Sequence, residues 1–138
     1  MALNRRAASV PESHSRVVMT FAGLPEPEVN VPIFDSPDSP IADLYLHEYR
    51  LAFEYEGGHH VHDRAQIKRD AWRYAQMREA NIEYVQIYAD MLARPRTLAT
   101  HIHGVLVRRG YDGPPPDFGP RWRALFAPAR SSRAVAVA

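Results

Sequence analysis

The spacing of apolar and polar positions divides the chain into alternating helices and strands. Apolar residues three and four apart predict helices, and strict alternation predicts strands. Pro, Gly, Asn and Asp residues with turn chemistry separate these segments. The pattern predicts helices over 10–22, 63–80 and 94–109, and strands over 28–34, 41–46, 50–56 and 82–88.

The order of these segments predicts the sheet topology. Residues 47–49 link the second and third strands as a hairpin, and Pro32 favours an edge position for the first strand. A strand, a helix and another strand in succession form a right-handed parallel crossover in most folds. We therefore expect an α/β (α+β) fold class, with a mixed four-stranded sheet flanked by helices.

Length and composition favour one domain with short extensions. The 138 residues and 15.7 kDa are enough for one hydrophobic core. We expect a flexible leader over 1–9, a domain over 10–110 and a Pro- and Arg-rich tail over 111–138. Within this tail, Trp122, Leu125 and Phe126 are candidates to dock a short helix on the domain.

The predicted helix over 63–80 carries both apolar and basic residues. Ile67, Ala71, Tyr74, Ala75 and Arg78 recur at helical intervals and predict one face. We expect Trp72 and Tyr74 to serve in packing rather than in base stacking. Five basic residues cluster on this helix, at positions 64, 68, 69, 73 and 78.

Charge and composition exclude some kinds of site. The net charge of +1 does not by itself indicate a nucleic-acid-binding protein. The chain has no cysteine, which excludes disulfides, zinc–thiolate sites and thiol nucleophiles. It lacks a long apolar run and a signal-peptide core, so a soluble, cytoplasmic protein is expected.

Three acids fall on neighbouring predicted strands. Glu54 and Glu56 are two residues apart, so they point to the same face of the third strand, and Asp43 lies on the second. Carboxylates on an apolar strand need a positive partner, and oxygen ligands suit Mg²⁺ or Mn²⁺. The alternative is that Glu56 is a surface acid at a strand end and Asp43 a paired edge residue.

Short motifs follow one another in a fixed order between residues 9 and 110. They are Glu12, Gly23-Leu24-Pro25, Asp43, Glu54-Tyr55-Glu56-Gly57, His59-His60, and Asp70 with Arg73. This ordered set resembles the PD-(D/E)XK restriction-endonuclease-like superfamily. It is most similar to an uncharacterised bacterial branch of that superfamily, which is related to the very-short-patch-repair endonuclease.

The resemblance implies a metal-dependent DNA endonuclease or nickase. Such an enzyme hydrolyses a phosphodiester bond with a metal-activated water, and Asp43, Glu54 and Glu56 would hold Mg²⁺ or Mn²⁺. It also implies an acid–base role for His60 and His59, for which imidazole is suited. The alternative is that this loop is merely polar and rich in histidine.

Other residues take both a functional and a structural interpretation. Glu12 either points at the metal site or favours the positive end of its helix. Asp70 and Arg73 either orient the histidine loop and a DNA phosphate or pair with each other three residues apart. The candidate DNA-binding residues, which are otherwise a solvated charged face, are Arg64, Lys68, Arg69, Arg73 and Gln86.

The chain departs from the resemblance in three places, and two of them, the missing Lys and Gln86, support a rival function. Glu56 stands where the superfamily has Lys, Asn81-Ile82 replaces Gly-Trp, and Gln86 replaces an Arg. Lys68 is one candidate to replace the missing Lys. The rival is a catalytically inactive nuclease-fold module that binds DNA or protein.

A third interpretation is a toxin or defence component whose partner covers its basic surface. Proteins of this branch resemble the C-terminal half of longer chains with a winged-helix N-terminus. Without that half, targeting would come from a partner protein or from a homodimer.

Overall fold

A computed structural model of the chain describes residues 10–56 and 64–126. Its helices and strands alternate in nearly the order that the sequence predicts. The elements are α1 (Val10–Phe21), β1 (Glu28–Pro32), β2 (Ile41–Leu46), a 3-10 turn (His47–Tyr49), β3 (Leu51–Glu56), α2 (Arg64–Glu79), β4 (Glu83–Tyr88), α3 (Ala89–Leu92), α4 (Pro95–Arg108) and α5 (Pro120–Phe126).

The four strands form one mixed sheet in the order β1-β2-β3-β4. The first three strands are antiparallel neighbours, with Val29 opposite Leu44 and Leu44 opposite Phe53. β4 runs parallel to β3 and pairs Glu54 with Gln86. The predicted mixed four-stranded sheet with flanking helices is therefore confirmed, and β1 is an edge strand, as Pro32 indicates.

One face of the sheet carries the larger apolar core. Leu51 and Phe53 of β3 are fully buried on this face, together with Val85 and Ile87 of β4. Helices α1, α4 and α5 cover it. Their contributions are Val18, Met19, Leu98, Ala99, Ile102, Val105, Leu106 and Trp122.

Helix α2 covers the opposite face with a smaller core. Met77 is fully buried there in one cluster with Ala52, Tyr45 and Ile82. The sequence-based prediction of the α2 face is wrong in part. Ile67, Ala71 and Arg78 are exposed, because the helix turns a different stripe toward the sheet. That stripe consists of Gln66, Asp70, Arg73, Tyr74 and Met77, which recur at helical spacing.

Residues in the left-handed backbone conformation follow α1 and α2 and end these helices. Gly23 has φ 79°, and the N–H of Leu24 donates to the carbonyl of Met19, as in a Schellman cap. Asn81 has φ 60° after α2, a conformation that asparagine tolerates better than most residues. Both stops agree with the sequence-based prediction.

Two arginines join the 3-10 turn to the turn between α2 and β4. Arg109 donates from Nε to the carbonyl of Tyr49 at 2.9 Å and from Nη2 to that of Asn81 at 2.6 Å. Arg50 donates from Nη2 to the carbonyl of Ala80 at 2.8 Å. These side chains satisfy loop carbonyls, so they hold the start of β3 beside the start of β4.

The chain after residue 110 returns to the larger core. Trp122 of α5 is only 3% exposed; it packs edge-on against Phe118 at 4.8 Å and in a tilted arrangement, at 32°, against Phe126 at 4.1 Å. Leu125 remains 45% exposed. Tyr111, Phe118, Trp122 and Phe126 thus pack on the same core as helices α1 and α4. The expected leader over 1–9 and the last part of the expected tail, 127–138, lie outside the described residues.

Within the described ranges, the longest helices are too short or too polar to traverse a lipid bilayer.

Docking of α5 through Trp122 predicts a large effect of truncating that side chain. We expect Trp122→Ala to lower the free energy of unfolding by about 3–5 kcal/mol, the usual cost of removing a buried aromatic residue. Urea denaturation measures this loss. The matched control is Leu125→Ala on the same helix, which we expect to cost about 0.5 kcal/mol or less. Equal small losses in both variants would show that α5 adds little to the fold.

Candidate acidic site

Three acids lie on the α2 side of the sheet, near the carboxyl end of β3. Ala52 belongs to the α2-facing cluster, so alternation places Glu54 and Glu56 on that face too. Asp43 shares the face of Tyr45, which also belongs to that cluster. The structure therefore brings the three predicted acids onto one surface, which α2 borders.

The side chain of Asp43 accepts a backbone hydrogen bond from β3 beyond the point where β2 and β3 pair. The pairing of β2 with β3 ends at Leu44 and Phe53. Beyond this pair, Asp43 Oδ2 accepts the backbone N–H of Tyr55 at 2.9 Å. This bond fixes one carboxylate oxygen and satisfies an amide that the neighbouring strand leaves unpaired.

Glu54 is the most buried of the three acids. Its residue exposure is 7%, and Oε1 forms an ion pair with Nη2 of Arg73 from α2. Its second oxygen, Oε2, is buried without a hydrogen-bond partner among the described residues. A buried carboxylate oxygen without a partner is costly, so the surroundings of this atom disfavour the charged form of Glu54.

Burial changes the acidity of Glu54. Desolvation raises the pKa of Glu54 from its ordinary value of 4.5 to about 7, although Arg73 opposes the shift. The negative charges of Asp43 and Glu56 raise it further. At neutral pH the carboxyl group is therefore close to half protonated, and an added cation would favour its ionised form.

Glu56 lies closer to solvent at the end of β3. Its Oε2 accepts from Nε2 of Gln86 at 2.9 Å, and the hydroxyl of Tyr88 donates to Oε1 of Gln86 at 3.2 Å. Gln86 thus contacts the acid cluster across the parallel pair of strands. An amide there supplies a neutral donor, where the resemblance would place a charged Arg.

Arg73 connects the acids to the rest of α2. It donates to the carbonyl of Ile41 at 3.4 Å and lies 5.2 Å from the ring centre of Tyr74. The ring of Tyr74 is stacked on Tyr84 of β4 at 4.1 Å and 12°. The guanidinium therefore has a fixed environment, and its bond with Glu54 raises the pKa of Arg73 against the effect of burial.

The structure separates the predicted DNA-binding residues into two groups. Arg73 and Gln86 contact acids of the cluster, whereas Arg64, Lys68 and Arg69 lie on the exposed side of α2. Asp70 does not pair with Arg73 and instead accepts from Nε2 of Gln66 at 3.1 Å. Among the described residues, Arg73 rather than Lys68 brings a positive charge to the acids.

Some predicted site residues lie outside the described part of the chain. His59 and His60 fall between residues 56 and 64, and the side chain of Glu12 is likewise outside the description, although its backbone belongs to α1. The predicted packing role of Trp72 is wrong, because its side chain is 68% exposed.

The acids meet the chemical requirement of a cation site only in part. Their hard oxygens suit Mg²⁺ or Mn²⁺, and Glu54 Oε2 has no partner among the described residues. However, within 10–56 and 64–126 no three acidic or histidine side chains stand together as a ready-made metal site. A bound cation would therefore draw Asp43 and Glu56 toward the free oxygen of Glu54.

The contact between Glu54 and Arg73 was not predicted from the sequence. A signal for it exists, because Arg73 lies one turn before Met77 on α2 and three residues after Asp70. These residues share the sheet-facing stripe. A charged side chain buried on that stripe needs an opposite charge on the sheet, because an unpaired buried charge is costly. Glu54 supplies that charge.

The chain is similar to two proteins described as uncharacterized in Mycobacterium tuberculosis, one from strain CDC 1551 / Oshkosh and one from strain ATCC 25618 / H37Rv. Each is 36% identical over 99 residues, which cover 70% of this chain and 36% of the relative. The chain thus spans about a third of the length of these curated relatives. No family model matches the chain. No solved structure matches it.

The raised pKa of Glu54 predicts a pH-dependent stability. Between about pH 4.5 and pH 7 the folded state binds the proton more tightly than the unfolded state, so stability falls as pH rises. The loss over this range is of the order of 3 kcal/mol at 1.36 kcal/mol per pKa unit. Urea denaturation in EDTA, from pH 4.5 to pH 8, measures it.

Glu54→Gln should remove that component of the pH dependence, because glutamine does not ionise. The matched control is Glu26→Gln, an exposed acid in the turn after α1, which should keep the wild-type slope. A Glu54→Gln profile parallel to wild type would contradict the assignment.

Removing the cation beside Glu54 gives a second stability prediction. We expect Arg73→Met to cost roughly 3–5 kcal/mol at pH 8, since it leaves a buried carboxylate without its cation. At pH 5 the cost should be smaller, because Glu54 is then protonated. The control Arg69→Met alters an exposed arginine of the same helix and should cost little at either pH. A similar loss for Arg73→Met at both pH values would refute this coupling.

Proposed function

We propose that the chain is a metal-dependent DNA endonuclease or nickase with a restriction-endonuclease-like fold. The observation that carries this proposal is the buried carboxylate of Glu54, whose Oε2 has no partner among the described residues. It lies on one surface with Asp43 and Glu56. Arg73 offsets only part of the negative charge of the three acids, and a divalent cation would offset the rest.

The order of elements supports the proposed fold. A helix, a three-strand meander, a helix and a parallel fourth strand follow one another as α1, β1–β3, α2 and β4. Asp43 lies on the second strand and Glu54-Tyr55-Glu56 ends the third, which are the places that the resemblance assigns to the acids.

Asp43, Glu54 and Glu56 are the residues that would hold Mg²⁺ or Mn²⁺. When bound, such an ion lowers the pKa of a water ligand and offsets negative charge on a phosphate. Asp43 and Glu56 each have one oxygen fixed, by the amide of Tyr55 and by Gln86 respectively. These bonds limit the rotation of the two carboxylates, which a bound ion would draw toward Oε2 of Glu54.

Arg73 takes the electrostatic place of the superfamily Lys in this proposal. Glu56 occupies the Lys position in the sequence, whereas Arg73 reaches the acids from α2. A guanidinium stays protonated at all physiological pH values, so Arg73 serves as a fixed positive charge and not as a base. It holds Oε1 of Glu54, which leaves Oε2 for the cation.

A second candidate function has support of its own. Each of the three carboxylates already has a partner in the protein: Arg73 for Glu54, Gln86 for Glu56 and the Tyr55 amide for Asp43. The acids among the described residues form no ready-made metal site. A catalytically inactive nuclease-fold module that binds DNA or protein would need no more than this. Metal affinity separates the two functions.

A cleavage assay tests the enzymatic proposal. We expect the full chain to nick or cut plasmid DNA with Mg²⁺ or Mn²⁺ and not in EDTA. Asp43→Asn and Glu54→Gln should lower the rate to the metal-free background, since each removes a charged oxygen ligand. Gel electrophoresis of a substrate panel with mismatched, nicked, duplex and single-stranded DNA measures the rate.

Asp38→Asn is the matched control, because Asp38 is an exposed acid in the turn before β2. It should cleave as wild type does, and all variants should retain the wild-type far-ultraviolet circular dichroism spectrum. Full activity of Asp43→Asn and Glu54→Gln would rule out this site. Absence of both cleavage and calorimetric Mg²⁺ or Mn²⁺ binding by the wild type would favour the inactive module.

A further inference from the structure

Helix α2 presents a large aromatic side chain to solvent. Trp72 is 68% exposed, a larger fraction than for any other large apolar side chain among the described residues. The next residue, Arg73, projects about 100° further around the helix and contacts Glu54. Trp72 therefore takes no part in the acid cluster or in the small core under α2, and its exposure needs another explanation.

Basic side chains lie next to this tryptophan, on the turns of α2 that precede it. Lys68 and Arg69 lie four and three residues before Trp72, so they are its neighbours on the helix surface. Arg64 lies one turn further toward the N-terminus on the same face, and all three are exposed. Arg69 also donates from Nη2 to Oε1 of Gln66 at 2.9 Å, which limits its motion.

The net charge on the exposed side of α2 falls along the helix. Beyond Trp72 it carries Arg78 and Glu79 side by side near the C-terminal end, and their charges offset each other. The net positive charge therefore lies in the two turns before Trp72. A partner with regularly spaced negative groups and an adjacent flat ring system fits this arrangement better than an apolar protein surface, which would meet a charged rim.

We propose that Trp72, Lys68 and Arg69, with Arg64, form a stacking surface for single-stranded nucleic acid. An unpaired base stacks on the indole of Trp72, while the basic side chains contact the phosphates next to it. Because a base inside an intact duplex is covered on both faces, the surface favours unpaired or single-stranded segments. This inference rests on the proposed function, since it names the class of substrate that the nuclease domain holds.

The stacking surface is separated from the acids by the body of α2. Arg73 points to the acid cluster and Trp72 points away from it, so the stacked base lies away from the scissile bond. Trp72 therefore contributes to substrate affinity and not to the chemical step. Its loss should raise KM for single-stranded substrate and leave kcat nearly unchanged.

Binding without cleavage provides the test. Fluorescence anisotropy of a labelled oligothymidylate, in EDTA, measures the affinity of the full chain. We expect Trp72→Ala to weaken binding about tenfold or more, whereas Trp72→Phe retains most of it, because base stacking needs only an aromatic ring. The control Val107→Ala alters an exposed apolar residue of α4 and should bind as wild type does.

Salt dependence and intrinsic fluorescence add independent readouts. Each of Lys68→Gln and Arg69→Gln should reduce the salt slope of binding by about 0.7 for a single strand. The chain has two tryptophans, and Trp122 is buried, so quenching by the oligonucleotide should come from Trp72 and vanish in Trp72→Phe.

The inference and the proposed function fail in different ways. Wild-type affinity of Trp72→Ala, or no binding of oligothymidylate by the wild type, overturns the stacking surface even if the protein cleaves DNA. If Trp72→Ala weakens binding but Asp43→Asn does not affect cleavage, the stacking surface holds and the nuclease site is wrong. Equal weakening for single-stranded and blunt duplex DNA would also contradict stacking on an unpaired base.

Discussion

The ion pair between Glu54 and Arg73 is the interaction on which the candidate site depends. Glu54 is buried on the sheet, and Arg73 is its cationic partner among the described residues. Burial raises the pKa of Glu54 more than Arg73 lowers it, so one guanidinium does not fully compensate the buried charge. The ion pair therefore fixes the position of Glu54 and leaves part of its negative charge uncompensated. A cation bound there would compensate the remaining charge.

The rest of the fold sets the position of this pair. The larger core fixes β3 and β4 in parallel register, so Glu54 lies opposite Gln86. Met77, in the smaller core, anchors α2 one turn beyond Arg73 and thereby directs the guanidinium to the sheet. One side of α2 faces the acids of the sheet, and another side exposes Trp72 to solvent. The same helix therefore serves both the proposed chemistry and the proposed substrate contact.

Much of the fold could be predicted from the sequence because it depends on local periodicity. Alternation located the four strands within about two residues, and Gly23 and Asn81 marked helix ends through their backbone conformation. The face of α2 was predicted wrongly, since a polar stripe with Arg73 faces the sheet there. A helix face is set by its tertiary partner, and the partner of Arg73 is a buried acid on β3, which the spacing within α2 indicates only once the sheet-facing stripe is known.

The same distinction applies to the site. The shared face of Glu54 and Glu56 follows from strand alternation, whereas the bond from the amide of Tyr55 to Asp43 needs the strands to separate after Leu44. The most direct test of the account is a carbon-13 NMR titration of the Glu54 side-chain carboxyl group, with and without Mg²⁺. We expect a midpoint near pH 7 in EDTA that falls when Mg²⁺ is added. A midpoint near 4.5 that Mg²⁺ does not move would contradict it.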